Sequence, residues 1–438
     1  MRSVSGKHCK GWLALSPIAV FLAVYLVTSL VAGDFYKVPV SAAFLLASCY
    51  AVAITKAGGI ESRLSLFSEG AGHKNVLLMI WIFLLAGAFA ATAKEIGAVD
   101  ATVRFTLNVI PGKMLFAGFF LTACFVSFAM GTSVGTIVAL VPITAGISVE
   151  TGLNPAQLTA VIVGGAFFGD NLSFISDTTI AATQAAGCEM RDKFRANLRI
   201  VLPAFLFVTV LYLFLGRSVS VRPESLPAEW YKLLPYLLVI CSALCGMNVT
   251  LVLGLGILAN VVLGLVTGSM GWIAFLSSVG TGISGMADLV IVTMLAGGML
   301  SLIRYNGGLD YLVNLLTRRI KGPLGAQLSI AGLVSLANLC TANNTIAIIT
   351  TGEIARNISE RFGIPARRTA SLLDTFSCVV QGLIPYGAQL LMASSLAGVS
   401  ALEIIPRLYY PFALAVSAAL GIILHARKTS ANSTSVPS

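Results

Sequence analysis

The chain has 438 residues, of which 57% are hydrophobic and only 11% charged, with a formal net charge of +10. Soluble globular proteins carry about 25% charged residues, so a soluble multidomain enzyme is excluded, and the mean hydropathy of +0.91 excludes a disordered chain. At about 20 apolar residues per spanning helix, the length suggests about a dozen membrane segments in an all-α polytopic membrane protein. The first apolar run, Trp12 to Ala32, is longer than a signal core and is followed directly by others, so it reads as a retained spanning helix. With the run at 38–55 it forms an N-terminal pair. Further apolar runs fall at 75–93, 114–130, 137–149, 156–168, 178–187, 197–216, 233–267, 272–303, 324–340, 345–355, 370–397 and 408–424. Several are too short to cross a hydrocarbon core as helices. They cluster around Gly, Pro, Asn, Ser and Thr, the pattern of re-entrant hairpins and broken helices.

The sequence repeats itself at an offset of about 210 residues. Leu85-Ala86-Gly87 recurs as Leu295-Ala296-Gly297, and Gly97 with Asp100 recurs as Gly307 with Asp310. Ile147-Ser148, Gly152, Pro155-Ala156 and Thr159-Ala160 match Ile358-Ser359, Gly363, Pro365-Ala366 and Thr369-Ala370. Repeat one then covers about 75–216 and repeat two about 285–424 of a single transporter domain. The connection at 356–368 carries Arg356, Arg361, Arg367 and Arg368, whereas its counterpart at 146–155 has no Lys or Arg. Arg318, Arg319 and Lys321 likewise face only Lys113. Cytoplasmic loops are the basic ones, so equivalent loops lie on opposite sides and the repeats are inverted. This arrangement also predicts cytoplasmic termini. The hairpin tips are then Gly131 to Thr136, with Thr132, Ser133 and Thr136, and Thr341 to Thr345, with Asn343, Asn344 and Thr345. Breaks follow them at 169–177 and about 380–387.

The chemistry concentrates at residues 164–179. Asp170 and Asp177 sit in apolar surroundings with Ser173, Ser176, Thr178 and Thr179. A carboxylate at membrane depth is costly and marks function by default. Oxygen donors without sulfur or imidazole suit a hard cation. Na⁺ held by Asp170, Asp177, Ser173 and Thr178 is the expected cargo, with Asp177 the first choice for a carboxylate shared with the proton. Gly165 and Gly169 also fit simple helix packing. The second half supplies Asp374, Thr375, Ser377 and Gln381. Asp374 aligns with Gly164, so the half-sites are not equivalent, and Asp374 could instead pair with Arg367 or Arg368. Asp100 and Asp310, beside Lys94 and Arg304, read as solvated or interfacial, and Asp34 and Asp288 as structural or at the water interface. Basic residues such as Arg191, Lys193, Arg195 and Arg199 occupy a short connection and read as topology signals rather than nucleic-acid contacts.

No phosphate-binding GxxxxGK[ST] loop or hydrolase motif occurs, so an enzyme is not expected, nor any cofactor, and transport must use an ion gradient. The segment from Gly165 through Asp170 and Asp177 to Thr179 resembles the signature of NhaC-type Na⁺/H⁺ antiporters. Gly131 to Thr136 resembles that family's first hairpin, and Arg368 to Gly387 its second-repeat counterpart. Phe174 stands where that family usually has Pro. The resemblance implies a secondary Na⁺/H⁺ antiporter of the bacterial inner membrane. It also implies an elevator motion of one domain against a scaffold. The partners are Na⁺, protons and the bilayer, and a homodimer is compatible with the reading. The alternative is a Na⁺-coupled carrier of a small organic anion, a dicarboxylate or hydroxy acid, held by hairpin helix termini and Asn343-Asn344.

Overall fold

The computed structural model describes residues 11–32, 39–174, 176–219, 229–317 and 320–434. Asp34, Arg318, Arg319 and both chain ends lie outside the described residues. Every regular element among the described residues is helical. The chain opens with α1 (Gly11–Ala32), α2 (Val40–Ile54) and α3 (Ile60–Ala71). A first run follows: α4 (Lys74–Glu95), α5 (Ala98–Val109), α6 (Leu115–Met130), α7 (Ser133–Thr151), α8 (Pro155–Leu172), α9 (Asp177–Ala186) and α10 (Met190–Gly216). Next come α11 (Leu234–Leu244), α12 (Val249–Thr267) and α13 (Trp272–Gly285). The last run is α14 (Ala287–Tyr305), α15 (Gly308–Thr317), α16 (Gly322–Thr341), α17 (Asn344–Arg361), α18 (Ala366–Gln381), α19 (Ala388–Ala397), α20 (Ala401–Ile404) and α21 (Tyr409–Thr434).

Among the described residues, eight helical segments are long and apolar enough to cross a membrane, or nine if α19 and the bent segment after it form one span. Four shorter apolar helices add to them. The two runs show the same succession of elements about 210 residues apart: α4 to α9 are matched in order by α14 to α19. Left-handed residues end matching helices: Gly97 and Gly307, Gly152 and Gly363, Gly187 and Gly398.

Counting apolar runs underestimates helix length in the centre of the molecule. Residues 137–149 and 156–168 looked too short to span, yet α7 and α8 have 19 and 18 residues. Ser133 and Thr136 at the start of α7 and Asp170 and Asn171 at the end of α8 are buried in protein. In α8 all but three residues are buried, including Thr159, Asp170 and Asn171. α18 carries the point further. Its sequence, Ala-Arg-Arg-Thr-Ala-Ser-Leu-Leu-Asp-Thr-Phe-Ser-Cys-Val-Val-Gln, is scarcely apolar, yet twelve of its sixteen residues are buried. The mixed helices α3, α5 and α15 fell below the apolar pattern altogether. The runs at 233–267 and 272–303 each divide into two helices, around Gly246 and around Gly285-Met286.

Packing sorts the helices into two groups. α6 to α10 pack with α16 to α19 and α21, while α1 to α4 pack with α12 to α14. Within the first group the runs interlock: α9 lies against α17 and α18, and α19 lies reciprocally against α7 and α8. Glycine permits the tightest approach. A Cβ on Gly169 would stand 2.3 Å from the Phe128 backbone nitrogen, so α8 rides directly on α6. Gly165 abuts Ala123 and Phe120 of the same helix. These glycines serve packing rather than unwinding.

Candidate functional site

The two hairpin turns have almost the same backbone. α6 ends at left-handed Gly131, and α16 at left-handed Ala342, φ +49°. Extended residues follow, Thr132 at φ −146°, ψ 124° and Asn343 at φ −146°, ψ 113°. Each caps the next helix with its side chain. Thr132 Oγ1 accepts from the Gly135 amide at 3.4 Å, and Asn343 Oδ1 from the Ile346 amide at 3.0 Å. Such caps satisfy amide groups at a helix start that have no partner within the helix, so both turns close inside the protein. Thr136 bonds back to the Thr132 carbonyl at 3.0 Å, and Thr345 is half-buried one residue beyond Asn344.

Both tips reach Asp170. Its Oδ2 accepts from Ser133 Oγ at 2.9 Å and from Asn344 Nδ2 at 3.4 Å. Ser133 Oγ in turn accepts from Gln389 Nε2 at 3.0 Å. Gln389 Oε1 accepts from Gln381 Nε2 at 2.8 Å, and Gln381 also holds the Ala342 carbonyl at 3.0 Å. Asp170 is 6% exposed, and these side-chain partners are neutral.

The break between α8 and α9 is closed by hydroxyls. Ser176 caps α9 through the Thr179 amide at 3.2 Å and donates to the Asp170 carbonyl at 2.7 Å. Thr178 meets Ser176 at 2.9 Å and the same carbonyl at 3.3 Å. Thr179 donates to the Ser173 carbonyl at 2.7 Å. Ser173 and Ser176 are buried. Phe174 stacks on Phe194 of α10, ring centroids 4.6 Å apart. Asp177, the first-choice carboxylate from sequence, opens α9 as an exposed side chain. Its place in the first turn suits the helix dipole.

Asp374 lies in a second buried cluster. Lys193 Nζ sits 2.5 Å from its Oδ2, with the side chains 1% and 0% exposed. Asn197 and Asn171 donate to the same oxygen at 3.0 and 3.3 Å. The pairing partner is therefore Lys193, not Arg367 or Arg368; Arg368 instead donates to Gln327 at 3.0 Å. Ser377 gives its hydroxyl to the Asp374 carbonyl, at 2.9 Å. Thr375 is buried, its hydroxyl without a partner.

Sequence reasoning missed Lys193, Asn197 and Gln389. A signal for the first two was present. Lys193, Asn197, Ile200, Val201, Ala204, Val208 and Tyr212 form the buried stripe of α10, at helical spacing. Arg191, Arg195 and Arg199 fall off that stripe and are exposed.

A cavity of about 420 Å³ adjoins the second tip, lined in part by Thr341, Asn343, Tyr386, Arg304, His73 and Glu69.

The sequence pattern of the Na⁺/H⁺ antiporter family matches residues 11–217 and 229–427. The chain is 25% identical to the Na⁺/H⁺ antiporter NhaC of Alkalihalophilus pseudofirmus over 78% of its length and 80% of that protein's. It is 24% identical to Bacillus subtilis NhaC, over 81% and 84% of the two chains. A malate-2H⁺/Na⁺-lactate antiporter of Bacillus subtilis is 23% identical, over 78% and 80%.

Proposed function

The chain belongs to the Na⁺/H⁺ antiporter family, a multi-pass membrane protein, and we propose that it exchanges Na⁺ for protons at Asp170. The observation that carries the proposal is a buried carboxylate with hydrogen bonds from both hairpin tips and no cationic partner among them. A bare carboxylate in a low-dielectric interior is costly. A proton relieves that cost by neutralising it. Na⁺ relieves it by bringing a charge to the same oxygens, and the two occupy the site in turn. Ser133, Asn344 and the Asp170 carbonyl that the Ser176 and Thr178 hydroxyls hold in place are the groups from which the ion replaces its water. Burial favours Asp170 over the exposed Asp177 as the shared carboxylate.

Exchange follows if the loaded site changes sides and the empty charged one does not. The matching order of α4 to α9 and α14 to α19 supports reading residues 75–216 and 285–424 as repeats, and the contrast between the arginines of 356–368 and their absence from 146–155 supports their inversion. Membership of the family supports a bacterial inner membrane location. The elevator motion rests on the NhaC-type resemblance. Asn154 and Arg361 are both exposed, in equivalent connections. Single cysteines there should label from opposite faces of the membrane; labelling from one face would refute the inversion.

The exchange test is Na⁺-driven pH change in proteoliposomes. Wild type should acidify or alkalinise the lumen according to the Na⁺ gradient, and well-folded Asp170→Asn should do neither. Wild-type rates in that variant would remove Asp170 from the mechanism. A second reading, co-transport of a small organic acid, draws on the cavity beside Asn343, where Arg304 bonds only Thr350 among the hydrogen bonds found, at 3.0 Å. Exchange that requires added malate or lactate would favour it.

A further inference from the structure

We propose that Lys193 is a tethered cation that permanently fills the carboxylate site of the second half, so that each chain carries one exchangeable Na⁺, at Asp170. The inference rests on the Asp170 reading and adds the number of ions to it. The ammonium is surrounded by three oxygens of three kinds. These are Asp374 Oδ2 at 2.5 Å, the Asn171 carbonyl at 2.7 Å and Thr179 Oγ1 at 2.6 Å. Carboxylate, carbonyl and hydroxyl oxygens are the donors that a hard cation takes. An ammonium has three protons to give, and each has an acceptor here.

The three oxygens come from three different elements, the end of α8, the first turn of α9 and the middle of α18. They would form a concave oxygen-lined site if the lysine were shorter. Asn197, one turn further along α10, donates to the Asn171 carbonyl and to Asp374, both at 3.0 Å. Its Oδ1 is buried without a partner. A half-turn of that amide, which exchanges its oxygen and nitrogen, would add a fourth oxygen to the site. A lysine acting only to staple three helices together would bind them equally well but would say nothing about ion number. The count of bound Na⁺ separates the two roles.

The experiment is equilibrium binding of radioactive Na⁺ to the purified full-length chain in detergent. Wild type should bind one ion per chain. Lys193→Gln should bind two, because Asp374 then needs a mobile counter-charge. The double variant Lys193→Gln/Asp374→Asn should return to one. Asp170→Asn with Lys193 intact should bind none, and it keeps the test alive if Lys193→Gln fails to fold. Two ions in wild type, one in folded Lys193→Gln, or any ion retained by Asp170→Asn would each overturn the proposal. One ion in wild type with one in Lys193→Gln would leave the Asp170 reading standing. No ion in wild type would fail both.

Discussion

Asp170 and Asp374 are both buried carboxylates on the helices that follow a hairpin, α8 and α18, yet the charges around them differ. Asp374 faces an ammonium 2.5 Å away that the chain itself supplies. Asp170 is met by a serine hydroxyl and an asparagine amide, neither of which carries charge. A fixed counter-charge makes a carboxylate part of the framework, because separating the pair exposes two unpaired buried ions. A carboxylate with neutral donors keeps its affinity for something that can leave. The similar backbones of the two halves thus hold one buried charge pair and one carboxylate met by neutral side-chain donors. The difference lies in what the neighbouring helices bring: α10 places Lys193 beside Asp374, whereas α7 and α17 place Ser133 and Asn344 beside Asp170.

The comparison can be broken by removing either side. Asp374→Asn leaves Lys193 buried without its carboxylate, a change worth about 3–5 kcal/mol. The expected result is a large fall in thermal stability in detergent, and unfolding curves like those of wild type would show that the pair is not structural. At Asp170 the sharper probe is pH. If Na⁺ and proton share this carboxylate, as proposed, apparent Na⁺ affinity should fall as pH falls through its titration, by up to about tenfold per pH unit for one competing proton. Calorimetry at several pH values reads this directly, and a flat response would separate the proton path from the Na⁺ site.

Smaller effects test the shell. Ser133→Ala and Asn344→Ala each remove a donor to a charged oxygen, worth about 1.5 kcal/mol or roughly tenfold in Na⁺ affinity. Equal losses would support a site closed by both tips; a loss from only one would assign the ion to that tip. Asp177→Asn should change exchange by less than about fivefold, since an exposed charge at a helix N-terminus is worth about 0.3–1 kcal/mol. Abolished exchange in that variant would restore Asp177 as the shared carboxylate.

How much of this was legible in the sequence follows from what each signal measures. The hairpin turns and a break within 169–177 were visible because Gly, Asn, Ser and Thr interrupt apolar runs there; α8 continues to Leu172 and α9 opens at Asp177, so the break is shorter than the polar run. Asp170 was visible as a carboxylate in apolar company. Its rank against Asp177 was not, because seven residues of spacing say nothing about which side chain faces inward across a broken helix. Lys193 was hidden by its neighbours. Three arginines over nine residues gave the segment the look of a membrane-edge loop, and only the spacing of the stripe through Tyr212 separates the inward lysine from them. α18 was hidden for the opposite reason: a polar helix can be buried where its neighbours bring partners for its polar groups, as Lys193 and Asn197 do for Asp374 and Asn338 for the Ser377 carbonyl.

The second turn carries a strain that the first does not. Ala342 adopts the left-handed conformation at the place where the first turn has Gly131. An alanine there carries about 1–2 kcal/mol of strain. A glycine would remove it but would return about 0.4–1 kcal/mol of conformational freedom to the unfolded chain. The strain is the larger of the two. The turn that presents Asn344 to Asp170 is therefore held under a small standing load, while the turn that presents Ser133 rests in its preferred geometry.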